Sequence, residues 1–231
     1  MKIEILDDAD AVAEEAAAII ATDARIAVAA RGKFTLAVSG GHTPWAMLRA
    51  LAADIKVPWD NIHVLQVDER VAPAGDPDRN LTHLRASLFK HASLRRDQIH
   101  AMPVEAEDLA AAAASYAATL REVAGSPAVL DLVHLGLGPD GHTASLVPGD
   151  PVLDVADATV ALSGPYQGRC RMTLTYPVLN NARRVLWVVT GEEKAAMLVR
   201  LRDGDRSIPA GRVRQQNALV LADRAAAANL K

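Results

Sequence analysis

The sequence predicts a single α/β domain over residues 1–231, built on a mostly parallel sheet flanked by helices. Three observations predict it. Short apolar runs that suit buried parallel strands alternate along the chain with Ala-rich stretches of helical spacing. Several of those runs stop abruptly at glycines or charges, as strands do at the carboxyl edge of an open sheet, where such sheets hold their ligands. No Ser- or Pro-rich linker and no solenoid-type repeat interrupts the 231 residues. The alternation implies right-handed βαβ crossovers and a Rossmann-like arrangement.

Taken in order, residues 3–6 form an opening strand. Residues 8 to about 30 place Ala, Val and Ile at helical spacing, with Asp7, Asp8 or Asp10 near the start to complement the helix dipole. Residues 34–38 are a second strand, cut off at Ser39-Gly40-Gly41, and Pro44 suits the first turn of a helix reaching about Ala53. Residues 62–67 are a third strand that ends in Asp68-Glu69-Arg70, followed by a Pro-, Gly- and Asp-rich loop over 71–79. Asn80 is placed to cap a helix through Phe89, and residues 107–123 form another Ala-rich helix closed by Gly125 and Pro127. The stretch beginning at Leu130 supplies the fourth strand. Short strands at 159–162 and 171–175, a helical turn at 178–181 and a strand at 184–189 follow. A helix at 192–201, a last strand at 217–221 and a short helical tail close the chain.

Composition narrows the function. Half the residues are hydrophobic but only 3% are aromatic, so the core is built from Ala, Val and Leu. A formal charge of -3, with Arg and Lys scattered, does not point to nucleic acid. One cysteine, Cys170, excludes an internal disulfide and fits a reducing compartment. Residues 1–6 lead straight into two acidic residues with no small-residue cleavage site, so no signal peptide is expected. No run approaches ~20 apolar residues, so no membrane span is expected and the location is cytoplasmic.

The organising stretch runs from Leu130 to Leu146. Its apolar first half breaks into Gly136, Gly138, Pro139 and Gly141, and hands over Asp140 and His142, then Thr143 and Ser145. An unperturbed imidazole titrates near pH ~6.5, so His142 suits a general base, and Asp140 can orient it or stabilise its protonated form. Alone, Asp-Gly-His would read as a helix cap beside a surface histidine. The second polar glycine turn, Ser39-Gly40-Gly41-His42-Thr43, makes a site the better reading.

That turn offers free backbone N–H groups, hydroxyls at Ser39 and Thr43 and a helix N-terminus, a cradle for phosphate or carboxylate. It lacks the Lys-Ser/Thr ending of a nucleotide P-loop and the GxGxxG spacing of a dinucleotide site. By itself it reads equally as an ordinary strand-to-helix turn. Arg171 and Lys194, each near a strand end, can add charge-assisted bonds to the same anion or stand as solvated cations. Asp68 and Arg70 sit at a neighbouring strand end, able to meet sugar hydroxyls or a carbonyl oxygen. His134 in the apolar strand reads as a hydrogen-bonded core residue, Cys170 as an inert thiol, and His63, Trp59 and Trp187 as packing. His42 reads equally as ligand-facing or as surface. His134 and His142 lack zinc-motif spacing, so no catalytic metal is expected.

Residues 39–44, Asp68-Glu69-Arg70-Val71, residues 136–146, residues 171–180, residues 190–195 and Ile208-Pro209-Ala210 together resemble, in order, the signature blocks of the glucosamine-6-phosphate isomerase/6-phosphogluconolactonase family. The block around His142 is the specific one. The resemblance implies the fold of the glucosamine-6-phosphate deaminases and ribose-5-phosphate isomerases. It also implies hydrolysis of 6-phospho-D-glucono-1,5-lactone to 6-phosphogluconate in the oxidative branch of the pentose phosphate pathway, with no cofactor. His142 matches the family's proposed base. Ser39, Gly40, Gly41, Thr43, Arg171 and Lys194 match phosphate-binding positions of the wider superfamily. The chain departs from the pattern at Val147, where many members carry Phe, and in residues 218–221, which lack a Trp common there. Two alternatives are an isomerase or amino-sugar deaminase using Asp68 or Asp140, and a non-catalytic sugar-phosphate sensor. The expected partner is a small sugar phosphate, without nucleic acid or membrane, on a monomer or small homo-oligomer.

Overall fold

The computed structural model describes residues 1–230. Lys2–Leu6 (β1) leads into Ala9–Arg31 (α1), which Asp8 caps by accepting the Ala11 N–H and which ends at left-handed Gly32. Phe34–Val38 (β2), His42–Ala53 (α2), Ile62–Gln66 (β3), Asp68–Arg70 (β4) and Asn80–Leu84 (α3) follow. Then come Ile99–His100 (β5), Leu109–Ala124 (α4, capped by Asp108) and Leu132–Leu135 (β6). Val160–Tyr166 (β7), Arg169–Leu174 (β8), Tyr176–Leu179 (α5), Arg184–Val189 (β9), Ala195–Arg202 (α6) and Ala218–Asp223 (β10) complete the chain.

Seven strands form one wholly parallel sheet in the order β1-β10-β9-β6-β2-β3-β5. The chain leaves β2 toward β3 and β5, but leaves β6 in the other direction, toward β9 and β10. Neighbours β2 and β6 therefore flank the topological switch point, and a crevice opens beyond their carboxyl ends. Side chains alternate between two cores. Leu36, Leu132, Leu186 and Leu219 face α1 and α2, whereas Ala37, Val133, Trp187 and Val220 face the layer that includes α4. Small residues such as Ala13, Ala16, Ala17 and Ala24 let α1 lie close against the sheet and α2.

Four local expectations are corrected. The two strands read near 159 and 171 are β7 and β8, an antiparallel pair in a separate three-stranded sheet ordered β4-β8-β7. Asp68–Arg70, read as the charged end of the third strand, is the third member of that sheet. Asn80 does not cap its helix through its side chain. It is the first helical residue, bonded instead to Asp68 and Arg70, and after Leu84 the helix continues over Arg85–Phe89 with π geometry. The two-residue β5 has too little sequence to be read, and the segment after Asp223 is a series of turns rather than a helix.

Candidate active site

A cleft of about 410 Å³ lies at the switch point. One wall is the turn after β2 with the start of α2, and the opposite wall is the turn after β6. The ends of β4 and β8 and the segment after β9 close the remainder. Ser39, Gly40, Gly41, Thr43, Asp68, Arg70, His142, Arg171 and Lys194 all line it. Asp140 does not. It stands behind His142, more than a third exposed.

The turn carrying His142 is tightly closed. Gly138 N–H bonds the His142 carbonyl at 2.8 Å, and Gly141 N–H bonds the Gly138 carbonyl at 3.0 Å. Ala210 N–H bonds the Gly141 carbonyl at 2.9 Å, so the Ile208-Pro209-Ala210 segment buttresses the turn from outside. The imidazole lies against Gly138, where a Cβ would fall 2.1 Å from Nδ1. Asp140 Oδ1 accepts the His142 backbone N–H at 3.1 Å and meets His142 Nδ1 at 2.6 Å. Partial burial pushes the Asp140 carboxyl up, but bonds from the His142 N–H and ring and from the Tyr166 hydroxyl outweigh it and hold Asp140 below the usual carboxylate range. An ionised Asp140 places the ring proton on Nδ1. Nε2 is then the acceptor nitrogen of a ring that lines the cleft.

The other end of the cleft is lined by the Ser39-Gly40-Gly41 turn, the start of α2, Arg171 and Lys194. Gly41, at φ 135°, a conformation that favours glycine, leads into α2, whose first N–H groups have no side-chain cap. Ser39 N–H donates to His134 Nδ1 at 3.2 Å, while Ser39 Oγ is buried without a partner. Thr43 Oγ1 and Thr190 Oγ1 are 2.7 Å apart and tie α2 to the loop after β9. Arg171 is 3% exposed and its Nε is unpartnered. Burial, and then the nearby Arg70, pull its guanidinium below the usual arginine range against the attraction of Asp68. Arg171 makes long contacts to the Tyr166 carbonyl (3.5 Å) and Gln167 Oε1 (3.4 Å) and forms no ion pair among the described residues, so it can accept an anion presented in the cleft. Among the described residues Lys194 has only Glu193, at 3.7 Å, as an ionic neighbour.

Asp68 and Arg70 are more constrained. Asp68 Oδ2 accepts the Ser145 hydroxyl at 2.7 Å, and Asn80 Nδ2 donates to the Asp68 carbonyl at 3.0 Å. Arg70 donates to Asn80 Oδ1 at 2.6 Å and to the Asp78 carbonyl at 3.1 Å. Among the described residues no group of three or more His, Cys, Asp or Glu side chains comes together as a metal site.

The family described as glucosamine-6-phosphate isomerases/6-phosphogluconolactonase matches residues 7–221. The chain belongs to this family. A 6-phosphogluconolactonase of Nostoc sp. is 36% identical over 236 residues, 99% of this chain and 98% of its relative. The crystal structure of 6-phosphogluconolactonase from Thermotoga maritima superposes with a TM-score of 0.85 at 28% identity, over 96% of this chain and 98% of that one. A monomeric glucosamine-6-phosphate deaminase has the same TM-score at 20% identity, over 99% and 100% of the two chains, and shows the shared fold alone.

As a member of the glucosamine-6-phosphate isomerase/6-phosphogluconolactonase family, the chain brings part of every block but Ile208-Pro209-Ala210 onto the wall of one cleft, and that segment braces the His142 turn from outside. Asn80, Tyr166 and Gln167, which line or support the wall, were not read as site residues. Gln167 had a faint signal, because Gln167-Gly168 joins two strands by a two-residue turn with both φ values positive, 51° and 79°. His42 is both exposed and on the cleft wall. His134 is a core residue as read, Cys170 is exposed, and Trp59 and Trp187 pack in the core.

Proposed function

We propose that the chain hydrolyses 6-phospho-D-glucono-1,5-lactone to 6-phospho-D-gluconate, with His142 as the general base. The observation that carries this reading is one cleft holding a carboxylate-oriented imidazole and a buried guanidinium whose Nε has no partner among the described residues. A δ-lactone is an activated ester, so a base and oxyanion donors suffice without cofactor or metal. Water adds to the lactone carbonyl carbon as its proton passes to Nε2. The tetrahedral oxyanion collapses, the bond to the ring oxygen breaks, and that oxygen takes the proton back from the imidazolium. Asp140 holds the imidazole and balances its charge during transfer. The phosphate, bound by Arg171, Lys194, Thr43 and the Ser39-Gly40-Gly41 turn, fixes the carbonyl against the water. Asp68 and Arg70 face the sugar between these two ends.

We further read residues 1–231 as one domain acting in the cytoplasm as a monomer or small homo-oligomer. A single sheet shared by both cores and a lone cysteine support this. No helix among the described residues is long and apolar enough to cross a membrane.

The test is hydrolysis of 6-phosphogluconolactone corrected for the spontaneous reaction, beside incubations with glucosamine 6-phosphate and ribose 5-phosphate. The lactone alone should turn over. His142→Ala and His142→Asn should each lose roughly 10²–10⁴-fold in kcat. Arg171→Ala should raise KM and erase the preference over unphosphorylated gluconolactone. A folded His142→Ala protein with near wild-type turnover would move the base to Asp140 or Asp68.

A further inference from the structure

We propose that Tyr166 is a positioning residue for His142, acting through Asp140 from the tip of the β7–β8 hairpin. The inference rests on the hydrolytic reading above for its kinetic arm, though not for its spectroscopic one. Tyr166 Oη donates to Asp140 Oδ2 at 3.0 Å, while Asp140 Oδ1 is taken by His142. The two carboxylate oxygens are thus divided between the imidazole and the phenol. The tyrosine ring meets the imidazole edge to face, with centroids 5.2 Å apart, and the Arg171 guanidinium lies 4.9 Å from the same ring's centroid. Tyr166 Oη is also 3.4 Å from His142 Nδ1. With that nitrogen protonated, the hydroxyl has one acceptor in reach, the ionised carboxylate. Burial, followed by the Asp140 carboxylate, pushes the phenol up, which keeps it a donor.

The backbone is arranged to deliver this side chain. Ser163 pairs with Arg171, so an unbroken antiparallel register would set residue 165 opposite Arg169. Tyr166 takes that place instead, because one extra residue is accommodated at Gly164-Pro165. A one-residue shift reverses the face of a strand side chain. The bulge therefore turns Tyr166 to the face that carries Arg171. Asp150 pins the bulge: its Oδ2 accepts the Gly164 N–H at 2.8 Å while its Oδ1 accepts the Val152 N–H at 2.8 Å.

The sign of the coupling follows. The phenol draws negative charge from Asp140, so its removal strengthens the carboxylate's hold on the imidazolium. Removing the carboxylate charge does the reverse. Tyr166→Phe should therefore raise the His142 titration midpoint, read by NMR in ligand-free protein, and Asp140→Asn should lower it. In an Asp140→Asn background the Tyr166→Phe shift should vanish. In the lactone assay Tyr166→Phe should lose about 3- to 10-fold in kcat with KM little changed, the scale of one ordinary hydrogen bond. The acid limb of its profile should move with the NMR midpoint. The His63 and His100 resonances serve as the control for an intact fold. An unshifted His142 midpoint in Tyr166→Phe, or an equal shift with and without Asp140, would overturn the proposal. If wild-type protein fails to hydrolyse the lactone while the NMR shifts appear, the functional reading falls and the positioning role stands.

Discussion

His142 keeps its place because residue 138 has no side chain. A Cβ there would lie 2.1 Å from Nδ1 and 2.3 Å from Cε1, so the imidazole and any methyl at 138 exclude one another. Gly138→Ala should displace the ring from Asp140 and reduce kcat/KM by about 10²-fold, since a misplacement of roughly 1 Å is enough for that loss. The backbone at Gly138 is not left-handed, so alanine itself is accommodated and the thermal midpoint should move little. Wild-type kcat/KM in Gly138→Ala would show that the ring does not need the Asp140 contact. At this scale the sequence was informative about placement: Ser39, Gly40, Gly41 and His142, read in turns directly after strands, line one cleft. It was silent on Tyr166: Gly164-Pro165 marks the bulge, but it lies beyond the strand read over 159–162, so there was no strand for it to interrupt. It misled at Asn80, because a polar residue opening a helix looks like a cap whether or not its side chain turns back.

Strands β2 and β6 carry the two opposing walls, so the element that fixes their register fixes the width of the cleft. That element is Asp131 at the foot of β6. Its Oδ2 accepts the Thr35 N–H at 2.8 Å and the Thr35 hydroxyl at 3.0 Å, while Arg31 and Arg183 approach Oδ1 at 2.7 and 3.3 Å. Asp131→Ala would leave a buried N–H without an acceptor and should destabilise by about 2–4 kcal/mol. Asp131→Asn, which retains an acceptor oxygen, should lose clearly less. Urea unfolding with matched m-values measures both, and equal losses would mean that the arginine pairs dominate. The parallel strands were legible because both faces are buried and each reads as a continuous apolar run. The hairpin β7–β8 was read only in part, since pairing in a separate antiparallel sheet is decided by contacts of β8 with β4, more than a hundred residues earlier in the chain. Helix α1 was legible at its start through Asp8 and α4 at its end through Gly125, whereas Gly32, which ends α1, and Asp108, which caps α4, were not read.

At the scale of the whole molecule, the Ser39-Gly40-Gly41 turn is tied to a buried titratable group. His134, fully buried on β6, accepts the Ser39 N–H through Nδ1, so its proton lies on Nε2, which has no partner. Burial pulls its pKa down to about 3. In the unfolded chain an imidazole titrates near ~6.5, so between those values the unfolded state binds a proton that the folded state refuses. Stability from this group is therefore complete above pH ~6.5 and is lost as pH falls toward about 3, by up to ~1.4 kcal/mol per pH unit. His63 and His100, stacked with ring nitrogens 3.0 Å apart, are also lowered first by burial and add in the same direction. His134→Asn offers Ser39 an acceptor near Nδ1 but cannot be charged. At pH 7 the smaller side chain should make this variant less stable than wild type. On acidification to pH 4 the difference should shrink or reverse, because only wild type has an imidazole to protonate at 134. Denaturant unfolding of both proteins across this range measures it. Parallel stability curves would mean that His134 can be protonated inside the fold, and that the Ser39 turn is held by something other than a neutral imidazole.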